Sequence, residues 1–435
     1  MLSSMKIYPL LCVLAAAFIS ISASPIHVEV SAKTGVLINT ETGAVLWQKN
    51  AHSPVYPSST TKVFTALYAL AKKGHALDEM ITASYDAVCY VPPSARRVEN
   101  SRHPPYRLEF GGTHMGLVTG ETFPLRVLMY GLMLSSGNDA ANVIAQHVSG
   151  SIPAFMDELN QFVREKGCLN TVLNAPHGLP HDNHITTAYD LAIATREALK
   201  IPFFREVIKT RQCVRPKSNK QPESMLYQHN ALVKQGRFYY PKAIGGKTGY
   251  TLKGGYSLVT AAEDTERKLI VVLMGCEKIE QRYRDAIALF EAGFNEKKVS
   301  RTLFSKGFDL FTYPVEGANA PLQAYISDDI VLHYYPSEEP AFKTTVSWLV
   351  PPLPISAGQK VGDLQVFSQE GKILTSSPIF AAKSVEGTFR HQVNLAWQKV
   401  KRGMWDNVTL VMVLLGIIVL VGTFYYSHRS TKKLS

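Results

Sequence analysis

Three short polar motifs interrupt the apolar pattern of this 435-residue chain, and each lies where the predicted secondary structure changes. Residues 59–62 (Ser-Thr-Thr-Lys) open an apolar helical run, residues 136–138 (Ser-Gly-Asn) break a helical segment, and residues 247–249 (Lys-Thr-Gly) lead into a strand. Residues 430–433 and 33–35 repeat the first and third patterns, so neither pattern is specific by itself. The order of the motifs and their places at element boundaries are what constrain the fold.

The segments around these motifs predict an α/β fold, with a central antiparallel sheet flanked by helices. Alternating apolar residues between 28 and 49 predict a β-hairpin in front of the first motif. Helical periodicity follows the first motif and surrounds the second, and a pair of strands follows the third. The predicted ranges are helices at 61–72, 123–148 (broken at 135–137), 152–166 and 282–294, and strands at 256–260 and 269–274.

Changes in composition predict how the chain is divided into domains. A Pro- and Arg-rich stretch at residues 92–105 indicates a surface insertion within a first domain at residues 24–298. Short apolar and aromatic runs separated by Gly and Pro turns predict a small all-β domain at residues 299–390. Residues 391–407 are either a juxtamembrane linker or an amphipathic membrane-surface segment, and the pattern leaves both open.

Both ends of the chain carry targeting patterns. Lys6, a following apolar core and a small-residue stretch predict a signal peptide at residues 1–23, with an uncleaved N-terminal anchor as the alternative. Residues 408–426 contain no charged side chain and are long enough to cross a bilayer as a helix. The sequence therefore predicts an exported body, one C-terminal transmembrane helix and a cytoplasmic tail at residues 427–435.

Charge and cysteine content narrow the partners. The formal net charge is +11, but Lys and Arg are scattered and accompany no nucleic-acid-binding motif. A basic protein working beside anionic lipid or wall polymer is therefore favoured over a nucleic-acid binder. No His, Cys or carboxylate cluster has metal-ligand spacing, so no metal or cofactor is expected. Either idle thiols or one or two disulfides fit the widely spaced cysteines of the mature chain, Cys89, Cys168, Cys213 and Cys276.

The first and third motifs contain the parts of a nucleophilic site. A serine hydroxyl is a weak nucleophile until a base takes its proton, and Lys62 lies three residues after Ser59 on the same helix face. Burial beside a second cation, for which Lys247 is the candidate, would lower the pKa of Lys62 enough for it to act as a base. The helix start at Ser59 also supplies N–H groups suited to an oxyanion.

With these motifs, the chain resembles the serine-type D-alanyl-D-alanine carboxypeptidases, the low-molecular-mass penicillin-binding proteins. The resemblance covers most of the chain, including the β-rich region and the C-terminal anchor. It implies a serine β-lactamase/transpeptidase-like domain in a bacterial cell (inner) membrane protein with its body on the periplasmic or extracellular side. Besides the three motifs, it is carried by residues 42–46, 49–50, 184–192, 254–256 and 284–286.

The resemblance implies a role for each catalytic residue. Ser59 would form the acyl-enzyme, and Lys62 would be its general base. Ser136 would relay a proton toward the leaving D-alanine, and Asn138 would hold the substrate amide. The implied substrate is a peptidoglycan pentapeptide ending in D-Ala-D-Ala, and β-lactams would be covalent inhibitors.

It also implies how the third motif binds substrate. Lys247 and Thr248, in the motif completed by Gly249, would bind the terminal carboxylate. The backbone N–H groups of Ser59 and Tyr250 would form the oxyanion hole. Relatives often carry His at the position of Tyr250, which bears on fine specificity rather than on the reaction.

Related activities stay open at this point. A class A-like β-lactamase would share Ser59 and Lys62 but deacylate quickly, and Glu165 is one residue out of register with that family's Glu-x-x-Leu-Asn pattern. Slow release of penicillin is therefore expected. His184 is interpreted as a loop-bracing residue rather than a catalytic one. The motifs are also compatible with a DD-endopeptidase and with a non-enzymatic cell-wall-binding protein.

Overall fold

The computed structural model describes residues 26–96, 103–308, 310–368 and 371–431. The predicted signal peptide, residues 1–23, lies outside the described residues. The described chain forms two compact units: one extends to Lys298 and also includes Tyr335–Glu339, and the other comprises Val299–Tyr334 and the residues from Pro340 onward.

The first unit contains a five-stranded antiparallel sheet and most of the helices. Its strands are β1 Thr34–Asn39, β2 Val45–Lys49, β3 Met80–Thr82, β4 Tyr90–Val91, β5 Leu108–Glu109, β6 Thr122–Pro124, β7 Gln212–Arg215, β8 Ser224–Tyr227, β9 Ala243–Thr251, β10 Gly255–Glu263 and β11 Lys268–Cys276. Its helices are α1 Lys62–Lys73, α2 Tyr85–Val88, α3 Pro93–Arg96, α4 Leu125–Met133, α5 Asn138–Ser149, α6 Ile152–Glu165, α7 Ala188–Ala198, α8 Pro202–Lys209 and α9 Gln281–Asn295.

The sheet joins the two ends of this unit. Its strand order is β2-β1-β11-β10-β9, so the N-terminal hairpin pairs with strands that follow more than 200 residues later. Because neighbouring side chains of a strand point to opposite faces, Val36 and Ile38 pack among the helices while Leu37 packs toward α9. Strand β9, which carries the third motif, lies at the edge of the sheet.

Helix α1 lies at the centre of the helical layer. It packs against α4, α5, α6, α7 and α8, and residues 62–70 are all buried. The predicted helix at residues 61–72 is confirmed, and its burial is more extensive than an apolar face alone requires because five neighbouring helices pack against it. The predicted hairpin, the helices on either side of the second motif, the strands after the third motif and the final helix are all confirmed.

The second unit is β-rich. A five-stranded antiparallel sheet of order β13-β14-β18-β17-β16 and a β12-β15 pair surround a core that includes Leu322, Leu364 and Ile379. The bounds are β12 Val299–Phe304, β13 Phe311–Tyr313, β14 Leu322–Ile326, β15 Ile330–Tyr334, β16 Phe342–Trp348, β17 Lys360–Ser368, β18 Ile373–Ala381 and the 43-residue helix α10 Phe389–Thr431.

Helix α10 contains the segment that the sequence predicted as a transmembrane helix, residues 408–426. Among the described residues, no helix combines the length and the hydropathy needed to cross a membrane. The transmembrane helix is thus unsupported by the structure and stays a sequence-based prediction.

Candidate active site

Ser59 lies in a 3-10 turn, Ser58–Thr61, directly before α1. The sequence placed it at the first turn of the α-helix itself. The turn is tighter because the Thr60 hydroxyl donates to Pro57 O (2.6 Å) and the Thr61 hydroxyl donates to Ser58 O (2.8 Å). Ser58 has a left-handed backbone (φ +52°), and its side chain bonds Thr251 Oγ1 on β9 at 2.9 Å. These contacts leave Ser59 partly exposed at the surface of a buried framework.

The Lys62 amine points back toward Ser59. Its Nζ lies 3.0 Å from Ser59 Oγ, 2.7 Å from Asn138 Oδ1 and 2.8 Å from the backbone oxygen of His177. The Lys62 side chain is completely buried. The first two motifs are therefore in direct contact through one lysine.

Burial and a second cation act together on Lys62. Loss of hydration lowers its pKa well below the usual value, Lys247 lowers it further by repulsion, and Asp139 opposes both. Burial, with repulsion from Arg282, also lowers the pKa of Lys247 to about 7. The predicted electrostatic partnership of Lys62 and Lys247 is thus confirmed.

The second motif forms the turn between α4 and α5. Ser136 is buried and has a left-handed backbone (φ +57°), and α5 begins at Asn138. Thr113 holds this turn from outside, since its hydroxyl donates to Ser136 O (2.8 Å) and its carbonyl accepts from Asn138 N (2.9 Å). The turn sets Asn138 Oδ1 against Lys62.

Asp139 is a supporting residue that the sequence analysis missed. Its buried carboxylate accepts backbone N–H bonds from residues 115, 116 and 117, each at 2.8 Å, and from Ala140 at 2.9 Å. A buried carboxylate is costly unless such donors surround it. Its position directly after the Ser-Gly-Asn motif could have indicated a role in the site. Asp139 therefore fastens the loop at residues 113–117 to the start of α5.

The third motif packs directly against the turn Ser58–Thr61, which we call the nucleophile turn after the role that the sequence predicts for Ser59. Lys247 and Thr248 are buried, and Lys247 Nζ donates to Thr248 O at 2.8 Å. A Cβ on Gly249 would lie 3.1 Å from Pro57 O and 3.2 Å from Ser59 N, so only glycine allows β9 this close without displacement. Gly249 is thus explained by close backbone approach.

Tyr250 follows on the same strand and is 50% exposed. Its ring stacks on Tyr256 with centroids 4.3 Å apart. With Tyr56 and Lys253, these rings line an open groove of about 530 Å³. This groove reaches Tyr56, two residues before the turn that carries Ser59.

Arg282, on α9, supports β9 from behind and was also missed. Its buried guanidinium donates to Gly249 O and to Ser257 O, both at 3.1 Å. It also faces Tyr256 and Tyr283, with ring centroids 5.4 and 4.8 Å away. Arg282 therefore fixes the third motif and adds positive charge beside Lys247.

Two buried histidines, His177 and His184, brace the loop at residues 174–184. His184 Nδ1 accepts from Asn174 N (3.0 Å) and its Nε2 bonds Thr61 Oγ1 (2.9 Å), which confirms the loop-bracing interpretation. His177 provides the carbonyl that accepts from Lys62, while its ring bonds Tyr106 O at 3.1 Å. Both rings thus hold neighbouring segments in place around the Lys62 side chain.

The remaining sequence candidates lie away from this centre. Glu165 is exposed near the end of α6 and accepts from Gln161 at 2.9 Å. The four described cysteines are all free thiols. Within the ranges that the structure describes, no group of three or more His, Cys, Asp or Glu residues could hold a metal ion.

Comparison with solved structures identifies the fold. Penicillin binding protein 6B from Escherichia coli matches with a TM-score of 0.58 at 22% identity, covering 82% of this chain and 98% of that one. The Streptomyces K15 DD-transpeptidase matches with a TM-score of 0.53 at 27% identity, covering 61% of this chain and 98% of that one. The first unit is thus an α/β domain of the transpeptidase-like class, with an antiparallel sheet and flanking helices.

Sequence comparison identifies the family. A family model described as D-alanyl-D-alanine carboxypeptidase, peptidase family S11, matches residues 20–278. D-alanyl-D-alanine carboxypeptidase DacF of Bacillus subtilis is 28% identical over 382 residues, covering 85% of this chain and 91% of that protein. DacD of Escherichia coli is 25% identical over 378 residues, covering 84% and 90%. The chain belongs to the D-alanyl-D-alanine carboxypeptidase family and is a serine-type carboxypeptidase.

Proposed function

We propose that this enzyme removes the terminal D-alanine from peptidoglycan stem peptides through an acyl-enzyme on Ser59. One observation carries the assignment: a completely buried lysine amine, Lys62 Nζ, lies 3.0 Å from Ser59 Oγ. The lowered pKa of this amine favours its neutral form, which is the form that can accept a proton.

The contacts of Lys62 suit a base in its neutral form. A neutral amine has two N–H groups and one lone pair. The oxygens of Asn138 and His177 can accept the two N–H bonds, which leaves the lone pair for the hydroxyl proton of Ser59. Ser59 Oγ then attacks the penultimate D-alanine carbonyl while its proton moves to Lys62.

Collapse of the tetrahedral intermediate requires a proton for the leaving D-alanine nitrogen. We assign this relay to Ser136, whose turn is held beside Lys62 by Asn138 and Thr113. The C–N bond breaks as the amine is protonated, and the acyl group remains on Ser59. Water then attacks the ester and regenerates the hydroxyl.

Substrate binding is assigned to the strand side of the site. Lys247 and Thr248 would bind the terminal carboxylate, because Lys247 and Arg282 concentrate positive charge there. The N–H groups of Ser59 and Tyr250 would stabilise the oxyanion. Asn138 would bind the substrate amide through its Nδ2, since its Oδ1 accepts from Lys62.

β-Lactams would acylate the same serine, and the resulting acyl-enzyme would be hydrolysed slowly. Class A β-lactamases use a glutamate to activate the deacylating water. Glu165, the nearest candidate by sequence, is exposed and bonded to Gln161, which supports the assignment as a carboxypeptidase rather than a β-lactamase.

The direct test is release of D-alanine from diacetyl-Lys-D-Ala-D-Ala by the full-length chain, with Ser59→Ala as the control. Release that disappears in the control is expected. If the wild-type chain is acylated by penicillin yet releases no D-alanine, the scissile bond is another one, as in a DD-endopeptidase. If penicillin does not acylate it either, the chain binds the cell wall without turnover and the proposal fails.

We also propose the domain limits and the membrane attachment given by the sequence: catalytic residues 24–298, a β-rich domain at 299–390 and a transmembrane helix at 408–426. The boundary between the two compact units, after Lys298, supports the division between the first two domains. The attachment is supported by the sequence, in which residues 408–426 are uncharged, and by the exposed Trp397 in the segment that precedes them. Recovery of the full-length chain in alkali-washed membranes, and its loss on deletion of residues 408–435, would test this.

A further inference from the structure

His229 lies in a turn between β8 and β9 that two buried polar side chains hold in place. Gln228, 1% exposed, accepts from His229 N at 3.0 Å through its Oε1 and donates to Ile208 O at 3.2 Å. Asn230, fully buried, accepts from Leu232 N at 3.1 Å. The backbone of the turn is therefore fixed, while His229 itself is exposed.

Two chains of hydrogen bonds tie this turn to β9 on either side of Lys247 and Thr248. On one side, Asn230 Nδ2 donates to Thr260 Oγ1 (3.2 Å), whose hydroxyl donates to Gly245 O (3.0 Å). On the other side, the Tyr283 hydroxyl donates to His229 O (3.2 Å) and accepts from Arg282 (3.1 Å).

Arg282 in turn donates to Gly249 O at 3.1 Å. The turn is thus anchored to the backbone just before and just after the Lys-Thr pair. The turn that carries His229 therefore borders β9 beside the Lys-Thr pair to which the carboxylate is assigned.

Four basic side chains act on His229: Lys247 of β9, Lys234 after the 3-10 turn Ala231–Val233, Arg282 of α9 and Lys62 of α1. Partial loss of hydration, together with repulsion from the protonated forms of these groups, lowers the pKa of His229 to about 4. The imidazole is therefore neutral at pH 7 in the free enzyme, and among the described residues its ring makes no hydrogen bond or ion pair.

We propose that His229 is a specificity-determining residue, whose imidazole takes up a proton from solvent as the substrate enters and then binds the terminal carboxylate beside Thr248. The inference rests on the proposed carboxypeptidase function. An entering carboxylate offsets the repulsion from Lys247 and Arg282 and so favours the imidazolium. Binding of the anionic substrate is then linked to proton uptake, and its affinity increases as the pH falls.

The expected size follows from linkage. With the pKa at about 4 in the free enzyme and restored to about 6.5 by the bound carboxylate, affinity improves about tenfold between pH 7.5 and 5.5. Lys247 also titrates in this range, so the contribution of His229 is the difference between the parent and a His229→Gln variant.

The experiment uses the full-length Ser59→Ala chain, which binds without turnover. Dissociation constants for diacetyl-Lys-D-Ala-D-Ala and its C-terminal carboxamide are measured at pH 7.5 and 5.5, with proton uptake from calorimetry in two buffers. His229→Gln removes the imidazole, and His229→Arg replaces it with a fixed cation. His75→Gln is the matched control, since His75 is exposed beyond the opposite end of α1.

Between pH 7.5 and 5.5, the dissociation constant of the acid peptide should fall by about tenfold more in the parent than in His229→Gln. The dissociation constant of the carboxamide should change equally in the two proteins. His229→Arg should bind tightly at both pH values, and His75→Gln should match the parent. Equal pH dependence and proton uptake in the parent and His229→Gln would overturn the inference while leaving the carboxypeptidase assignment intact. Failure of the acid peptide to bind at either pH, with no D-alanine release by the wild-type chain, would instead overturn the proposed function and this inference with it.

Discussion

The helical side and the strand side of the site each contain one buried lysine, but the two lysines have different surroundings. Lys62, on α1, has three polar oxygens around its amine, and one of them belongs to Ser59. Lys247, on β9, donates to its neighbour's backbone and faces the charge of Arg282. Both have lowered pKa values because both are buried.

The comparison shows that burial alone does not assign a role. Contact with the hydroxyl of Ser59 suits Lys62 to proton transfer, whereas its position on an edge strand suits Lys247 to binding a ligand that lies along the strand. The following predictions test whether the helical side serves proton transfer and the strand side serves substrate binding.

The largest effect is expected from Lys62→Met, which keeps the buried volume but removes the base. Acylation by penicillin should slow by about 10²–10⁴-fold, the usual contribution of a general base. Stopped-flow acylation measures this, and thermal unfolding checks the fold. Labelling at the parent rate by a folded variant would show that Lys62 is not the base.

A large effect is also expected from Gly178→Ala. At Gly178 (φ +89°) a Cβ would lie 1.8 Å from Ser58 O, so the nucleophile turn must shift. A misplacement of about 1 Å costs about 10²-fold in rate. Gly150→Ala is the matched control, because Gly150 (φ +78°) has the same left-handed backbone and no atom within 4 Å of its Cβ position.

Gly150→Ala should lose about 1–2 kcal/mol of unfolding free energy from backbone strain and keep its kcat/KM. Gly178→Ala should lose both stability and kcat/KM. Equal kcat/KM in the two variants would mean that the nucleophile turn tolerates displacement.

The pH dependence of KM should report the contribution of Lys247 to substrate binding, apart from the proton transfer by Lys62. Because the pKa of Lys247 is about 7, its cation is present below pH 7 and is lost above it. KM for a peptide acid should therefore rise above pH 7, by at most about tenfold per pH unit, while KM for the matching carboxamide stays level.

Arg282→Met should move this rise to higher pH, because Arg282 lowers the pKa of Lys247 and its removal raises it. Steady-state kinetics between pH 6 and 9 make the measurement. If the pH dependence of KM is the same in Arg282→Met as in the parent, Lys247 is not the group that binds the carboxylate.

The smallest effect is expected from Glu165→Gln. Glu165 is exposed and bonded to Gln161, so the rate of penicillin release should stay within about twofold of the parent, as for most surface substitutions. Release followed by recovery of D-alanine activity is the readout. A substantially slower release would show that Glu165 takes part in deacylation, as the glutamate of a class A β-lactamase does.

Sequence reasoning predicted the local parts of this site well. Ser59 and Lys62 are three residues apart, and a helical repeat brings such residues to one face, so their contact could be predicted. Hairpins and amphipathic helices follow from local periodicity for the same reason. The supporting roles of Asp139, Arg282 and His177 were missed because each depends on residues distant in the chain, as in the bond from Lys62 to the carbonyl of His177, 115 positions away.

The sequence by itself determined the family and the order of the main elements, and it predicted the nucleophile and its base, because these depend on short spacings and residue type. Only the tertiary structure decided that α1 is buried on every side, that Gly249 allows β9 to approach the nucleophile turn, and that the charges of Lys247 and Arg282 act on His229. The physical reason is that burial, close backbone approach and electrostatic repulsion act through space between segments, and local sequence patterns do not record which segments meet.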